Sequence, residues 1–382
     1  MPYLDFNAST PVDPRVLEVV FDVLSHSPGN ASSVQHRTGQ AAAEAVEEAR
    51  QGVAALVGAA PVEVILTSGA SEALTVAILG SILGRGHRPV IVVGATEHNA
   101  VLAAAELAAR LAGGEVRVAP VDRTGVLDLD ALEALCGPEV GLVAAMHANN
   151  ETGTIHPVRE IAEVVHKRGA VYLCDVTQSA GKLPLDDIMH SADLATFSSH
   201  KIYGPKGAGA LVASRRQQRE MLPIFPGGGQ ERGLRGGTPD TPSIAGFGMA
   251  ARLAKAELAS DDAHARGLME QLRNGLARRV PDLQLIGSEC QRLGNTMNFR
   301  FPGADAEAVM ASMPDVEVST GSACQAAVPT VSHVLLAMGL THGEASECLR
   351  ISVGRPTTEA EIDIAVECLA SAVKRVRSMT AA

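Results

Sequence analysis

No Cys-x-x-Cys pair occurs in this chain, and its six cysteines, at positions 136, 174, 290, 324, 348 and 368, lack the density of a disulfide scaffold. Structural zinc is therefore not expected, and a reducing compartment is. Lysines and arginines never gather into a run. They number 32 against 43 aspartates and glutamates, a formal charge of −11, which argues against direct nucleic-acid binding and favours small molecules and other proteins as partners. No stretch of about 18 uninterrupted apolar residues is present. The opening Met-Pro-Tyr-Leu-Asp-Phe-Asn has no basic segment leading into an apolar one, so neither a membrane span nor a secretory leader is expected, and the location should be cytoplasmic. Internal repeats and low-complexity tracts are also missing.

What is there is ample apolar material: 46% hydrophobic residues over 382 positions, enough for two domains. Apolar runs at Val62–Leu66, Val90–Gly94, Val140–Met146, Ala170–Asp175, Asp193–Ser198 and Ala208–Ala213 alternate with helical periodicity. That order predicts a mainly parallel sheet covered by helices. Ala42, Val46, Ala49, Val53 and Leu56 recur at helical spacing between charged residues, predicting an amphipathic helix over 39–57. Residues 226–242 turn rich in Pro, Gly and Thr, and the domain change is placed just beyond them, near 252. A helix over about 251–279, another over about 358–377 and short strands near 295–301 and 348–353 give the remainder an α+β character.

Ser198-Ser-His-Lys-Ile-Tyr-Gly204 sets Lys201 just past an apolar strand and just before a glycine-rich turn. A lysine at a strand end in an α/β protein can hold an aldehyde cofactor as a Schiff base. Twenty-six residues upstream the strand Ala170–Asp175 ends in a carboxylate, the group that a pyridinium nitrogen requires. Either residue alone reads as ordinary, a surface lysine or a helix cap; the pair does not. Thr67-Ser-Gly-Ala70-Ser71-Glu72 joins a strand to a helix, where free amides and hydroxyls can seat a phosphate. His98 follows the strand Val90–Gly94 and can lie over a flat ring. Asn149 and Asn150 follow the next strand, and Arg350 can grip a carboxylate in two parallel bonds. Cys324 lies in Ser319-Thr-Gly-Ser-Ala-Cys-Gln-Ala-Ala-Val-Pro329, among small and turn-forming residues rather than the apolar neighbours of Cys174 and Cys368.

Taken together, these segments resemble the PLP-dependent cysteine desulfurases of the NifS and IscS type almost from end to end. Further matching stretches are Leu4–Pro11, Gly29–Ser33, Asn149–Gly153, Asp175–Gln178, Gly227–Arg232, Gly321–Cys324 and Leu349–Arg355. The resemblance implies a PLP-dependent transferase of fold type I, with a large domain (13–252) on a mainly parallel seven-stranded sheet. A smaller α+β domain (1–12 and 253–382) would carry the cysteine loop. It implies a homodimer that turns L-cysteine into L-alanine and passes the sulfur, as a Cys324 persulfide, to an acceptor protein. Lys201 would carry the pyridoxal 5'-phosphate, Asp175 pair with its ring nitrogen, Gln178 bond the ring oxygen and His98 stack on the ring and move protons. Ala70, Ser71, Ser198 and His200 would hold the phosphate, with Thr238 reaching in from the other subunit. Asn150 and Arg350 would hold the substrate carboxylate.

Ser199 departs from the glycine usual in the family, as Gln325 does from Thr or Ser. The chain also ends soon after Val376, without the longer tail that IscS-type proteins set against an iron–sulfur scaffold. Asp5–Pro11, Gly227–Arg232 and Thr238–Gly246 also resemble selenocysteine lyases, which makes release of selenium from L-selenocysteine the alternative activity. A non-catalytic PLP-fold scaffold or regulator is the alternative of another class.

Overall fold

A computed structural model describes residues 1–321 and 331–380. Seven strands, β1 (Val64–Thr67), β2 (Val90–Gly94), β3 (Val116–Ala119), β4 (Val140–Ala144), β5 (Val171–Asp175), β6 (Leu194–Ser198) and β7 (Gly209–Ala213), form one sheet in the order β1-β7-β6-β5-β4-β2-β3. Neighbours from β6 through β3 are parallel, while β7 runs antiparallel to both β6 and β1. Six of these strands are buried along their whole length, which is why they read as unbroken apolar runs in the sequence. Each of these six lies within or one residue beyond the predicted run. β3 escaped detection because it is an edge strand, Val-Arg-Val-Ala, with only Ala119 buried.

Helices cover both faces. α1 (Pro14–His26), α2 (Arg37–Leu56), α3 (Ala70–Arg85) and α4 (Asn99–Ala112) come first. Val46, Ala49 and Val53 of α2 pack with Phe247 and Ala250 of the helix Thr241–Ala256 against Val92, Val143, Ala195 and Val212. On the opposite face Leu74, Ile78 and Ile82 of α3 and Val101 and Ala105 of α4 meet Ile91, Val93, Leu142 and Leu173. Alternate residues of one strand thus feed two cores. The segment rich in Gly and Pro is tied to the sheet by Glu231, which accepts from Arg50 Nη1 at 2.7 Å and from the amide of Leu66 at 2.8 Å.

The expected single helix over 251–279 is instead two. Thr241–Ala256 runs past residue 251, the chain breaks at Glu257, and Leu258–Arg279 follows. No glycine or proline marks this joint, so periodicity alone could not place it. A second sheet, β8 (Gln284–Ile286), β9 (Thr296–Arg300) and β10 (Cys348–Ser352), is antiparallel in the order β10-β9-β8. It packs on helices Leu258–Arg279 and Glu359–Thr380 through Leu272, Leu276, Phe299, Ile351 and Leu369. The N-terminus returns to this layer: Leu4 is fully buried in its core, and Asp5 pairs in parallel with Ser352.

Candidate cofactor and substrate site

The C-terminal ends of the parallel strands deliver the site. Asp175 closes β5, Ser198 closes β6, and Lys201 ends the short turn Ser199–Lys201 that follows. Asp175 is buried and accepts from the amide of Thr177 at 2.8 Å; burial pushes its carboxyl up, while Thr177, His98 and Lys201 pull the other way. Such a carboxylate is suited to a cationic ring nitrogen. His98 caps α4, its Nδ1 accepting from the amide of Ala100 at 3.1 Å, so the proton of the neutral ring belongs on Nε2. Burial holds its pKa below the usual histidine value, an effect that Asp175 opposes and Lys201 and His333 reinforce.

Lys201 Nζ donates to the carbonyls of Asn7 at 2.5 Å and Ala8 at 2.8 Å. Its turn is locked from behind. Tyr203 adopts a left-handed backbone (φ 65), its amide donates to Thr10 Oγ1 at 2.8 Å, and its hydroxyl accepts from the amide of Arg355 at 2.7 Å. Ser199, the departure from the family pattern, is fully buried there. It is accommodated because residue 204 is glycine: a Cβ at that position would stand 2.0 Å from Ser199 Oγ.

Ala70 and Ser71 open α3, whose preceding Gly69 (φ 156) offers no side-chain cap, leaving the first amides of the helix for an anion. A Cβ on Gly69 would stand 3.8 Å from Ser198 Oγ, and Ser68, Ser71, Glu72, Arg235 and Gly236 are among the residues that line a cup at this helix start. His200 Nδ1 lies 3.2 Å from Ser9 Oγ, and burial, with Lys201, Lys206 and Lys182, lowers its pKa to about 4. Thr238 is exposed, two residues beyond Gly236. An uncapped helix start beside two serine hydroxyls, a buried strand-end carboxylate, a neutral histidine and a lysine are together a donor set that fits pyridoxal phosphate.

Gln178 is buried, its Nε2 donating to Asn7 O at 3.0 Å and its Oε1 accepting from Lys182 Nζ at 2.9 Å. Because an ammonium only donates, Lys182 fixes which way the amide faces. Desolvation, with Lys201 and Arg350, brings Lys182 down to about 7. Arg350 rises from β10 with its side chain buried; Nη2 donates to Asp5 Oδ1 at 2.5 Å and Nη1 to the carbonyl of Asn150 at 3.2 Å. The side of Asn150 toward His98 opens on a small cavity that Glu151, Gly321 and Ser332 also line. Cys324 lies outside the described residues. Glu151, on whose Oε2 Ser332 Oγ donates at 2.5 Å, is buried and has its pKa raised by that burial.

Sequence reasoning missed Asp5, Asn7, Glu151 and Lys182. Lys182 follows Gln178 at the one-turn spacing that brings side chains together, a usable signal. Asp5 and Asn7 meet their partners across more than 170 positions, which no local pattern reveals.

Residues 2–364 match the family model described as aminotransferase class-V. A cysteine desulfurase of Frankia sp. (strain EuIK1) is 47% identical, aligned over 100% of this chain and 93% of its own length. Among solved structures, a NifS-like protein superposes with a TM-score of 0.89 at 32% identity, covering 98% of this chain and 99% of the other. DndA from Streptomyces lividans gives 0.78 at 37%, covering 90% and 97%. Fold and site therefore define a PLP-dependent enzyme on the aminotransferase scaffold. The chain belongs to the class-V aminotransferase family, within its branch of cysteine desulfurases of the NifS and IscS type.

The histidines give this fold an acid limit. His147, His156 and His200 all have pKa values lowered to about 4, first by burial, against 6.5 for an ordinary histidine. A depressed histidine contributes stability that is complete above pH 6.5 and is lost as pH falls toward 4, each with a slope of up to about 1.4 kcal/mol per pH unit. Glu97 and Glu151, whose carboxyls burial raises, work in the opposite sense, and their contribution is lost as pH rises. Urea unfolding midpoints should fall between pH 6.5 and 4.5 with a slope that these buried carboxyls reduce, and His156→Gln should flatten the fall further. A midpoint independent of pH over that window would contradict the assignment.

Proposed function

We propose that this protein is a cysteine desulfurase that converts L-cysteine to L-alanine and stores the released sulfur as a persulfide on Cys324 for delivery to an acceptor protein. The observation that carries the reading is the convergence of Lys201, Asp175, Gln178 and His98 at adjoining strand ends, faced by Arg350 from the second sheet. Bound PLP supplies an electron sink for the substrate Cα. The chain's own groups do the rest. Asp175 would keep the ring nitrogen charged, Gln178 would donate to the ring oxygen, and His98 would lie against the ring and share proton movement with Lys201. Ala70, Ser71, Ser198 and His200 would hold the phosphate, and Thr238 would serve the site of a second subunit. Asn150 and Arg350 hold the substrate carboxylate.

In the overall reaction the Cβ–S bond of the substrate breaks and an S–S bond to Cys324 forms. The thiol proton of Cys324 ends on the new methyl group of alanine, so no external oxidant or reductant is needed. Residues 13–252 form the cofactor-binding domain, and residues 1–12 with 253–382 the domain that brings Arg350 and Cys324 to it. A homodimer is supported by the exposed apolar stripe Leu17, Phe21 and Leu24 on α1 and by the exposure of Thr238. Among the described residues no helix is long and apolar enough to cross a membrane. Delivered sulfur would serve iron–sulfur clusters, thio-cofactors, tRNA or modified DNA.

Assays of alanine release from L-cysteine and from L-selenocysteine test this reading. Turnover of L-cysteine with a persulfide left on the protein is the expected result. Release from L-selenocysteine alone would favour the lyase, and release from neither would favour a non-catalytic role.

A further inference from the structure

The N-terminal segment lines the site at several points: Asp5 on Arg350, the carbonyl of Asn7 on Lys201 and Gln178, and Ser9 on His200. The contact with Arg350 bears directly on substrate. Arg350 is 3% exposed, and of its donors Nη2 meets Asp5, Nη1 meets the carbonyl of Asn150, and Nε is buried without an acceptor among the described residues. A nearly buried guanidinium with one N–H unpaired among the described residues retains capacity for one more acceptor. Asp5 is held firmly in place, its carbonyl accepting from Tyr3 Oη at 2.9 Å and its backbone bridged to Ser352, two residues past Arg350 on β10.

We propose that Asp5 is a specificity-determining residue, a resident carboxylate that sets how tightly Arg350 grips the carboxylate of an incoming amino acid. The proposal rests on reading Arg350 as the ligand of that carboxylate. With Asp5 in place the Arg350–Asp5 pair is neutral overall. An incoming carboxylate gains directional hydrogen bonds but little net Coulomb attraction, and it is repelled by Asp5 across the shared guanidinium. Small anions that bring charge and nothing else are thereby refused. L-alanine, which carries the same carboxylate as the substrate, is held loosely enough to leave. Without the charge of Asp5, a buried and uncompensated cation would bind any carboxylate more tightly.

The test uses the holoprotein and measures the Kd for L-alanine by equilibrium dialysis, with KM for L-cysteine alongside. Asp5→Asn should tighten L-alanine binding by roughly fivefold to tenfold, lower KM similarly and make acetate an inhibitor. Asp5→Ser gives a second neutral variant should the first not fold. Asp5→Glu keeps the charge and should stay within about twofold of wild type. Unchanged or weaker L-alanine binding in the neutral variants would overturn the proposal, as would an equal tightening in Asp5→Glu. Arg350→Ala separates this from the reading beneath it. Binding weakened by about tenfold or more keeps that reading, whereas unchanged binding would overturn the reading and the proposal together.

Discussion

Lys201→Ala should give a colourless protein with no borohydride-reducible cofactor linkage and alanine release lowered by about a thousandfold or more. The amine emerges where β6 ends, beside the carboxylate that ends β5, and the strained Tyr203 turn holds it there. One other lysine competes. Lys182 is brought down to about 7 by desolvation and the nearby cations Lys201 and Arg350, which makes it the alternative nucleophile. Its amine is engaged by Gln178, however, donating to Oε1 at 2.9 Å and to the carbonyl oxygen at 3.1 Å. Absorbance spectra of Lys201→Ala and of Lys201→Ala/Lys182→Ala after borohydride decide between them. A reducible linkage that persists in the single variant and disappears in the double one would assign the cofactor to Lys182.

Cys324→Ala should keep the yellow colour and bind L-cysteine, yet release alanine about a hundredfold to a thousandfold more slowly and carry no persulfide. Colour and substrate binding depend on Lys201, Asp175 and Arg350, which the substitution leaves in place. Burial makes most of the other thiols poor nucleophiles: Cys136 is pushed up to about 11 and Cys348 to about 12, and Cys174 is also raised. Cys290 is exposed, which makes it the informative control. Mass spectrometry after treatment with L-cysteine should place one added sulfur on the peptide that contains Cys324, and Cys290→Ser should leave that yield unchanged. Sulfur on Cys290, or alanine release at the wild-type rate from Cys324→Ala, would remove Cys324 from the mechanism. With L-selenocysteine the loss in Cys324→Ala should be smaller, because selenium departs from carbon more readily than sulfur.

How much of this was written locally follows from what each feature depends on. A strand buried on both faces must be apolar throughout, so β2, β4, β5, β6 and β7 announced themselves, while the half-exposed edge strand β3 did not. Asp175, Ser198 and Lys201 were legible for a related reason: a polar residue closing an apolar run at a strand end has to face the ligand side of the sheet. The break at Glu257 had no such mark, since helical periodicity continues on either side of it.

Residue types, strand ends and the lysine–carboxylate pair were thus determined by the sequence itself, because they rest on contacts within a few residues and on the requirement that polar atoms avoid the core. Only the tertiary structure decided what surrounds them. Asp5 lies 345 positions from Arg350, and Asn7 lies 171 from Gln178. Such pairs form when the N-terminus folds back beside β10, driven by the burial of Leu4 and Phe6 rather than by any attraction between the polar partners. The hydrophobic core chooses that path, and the electrostatics of the site follow from where it leads.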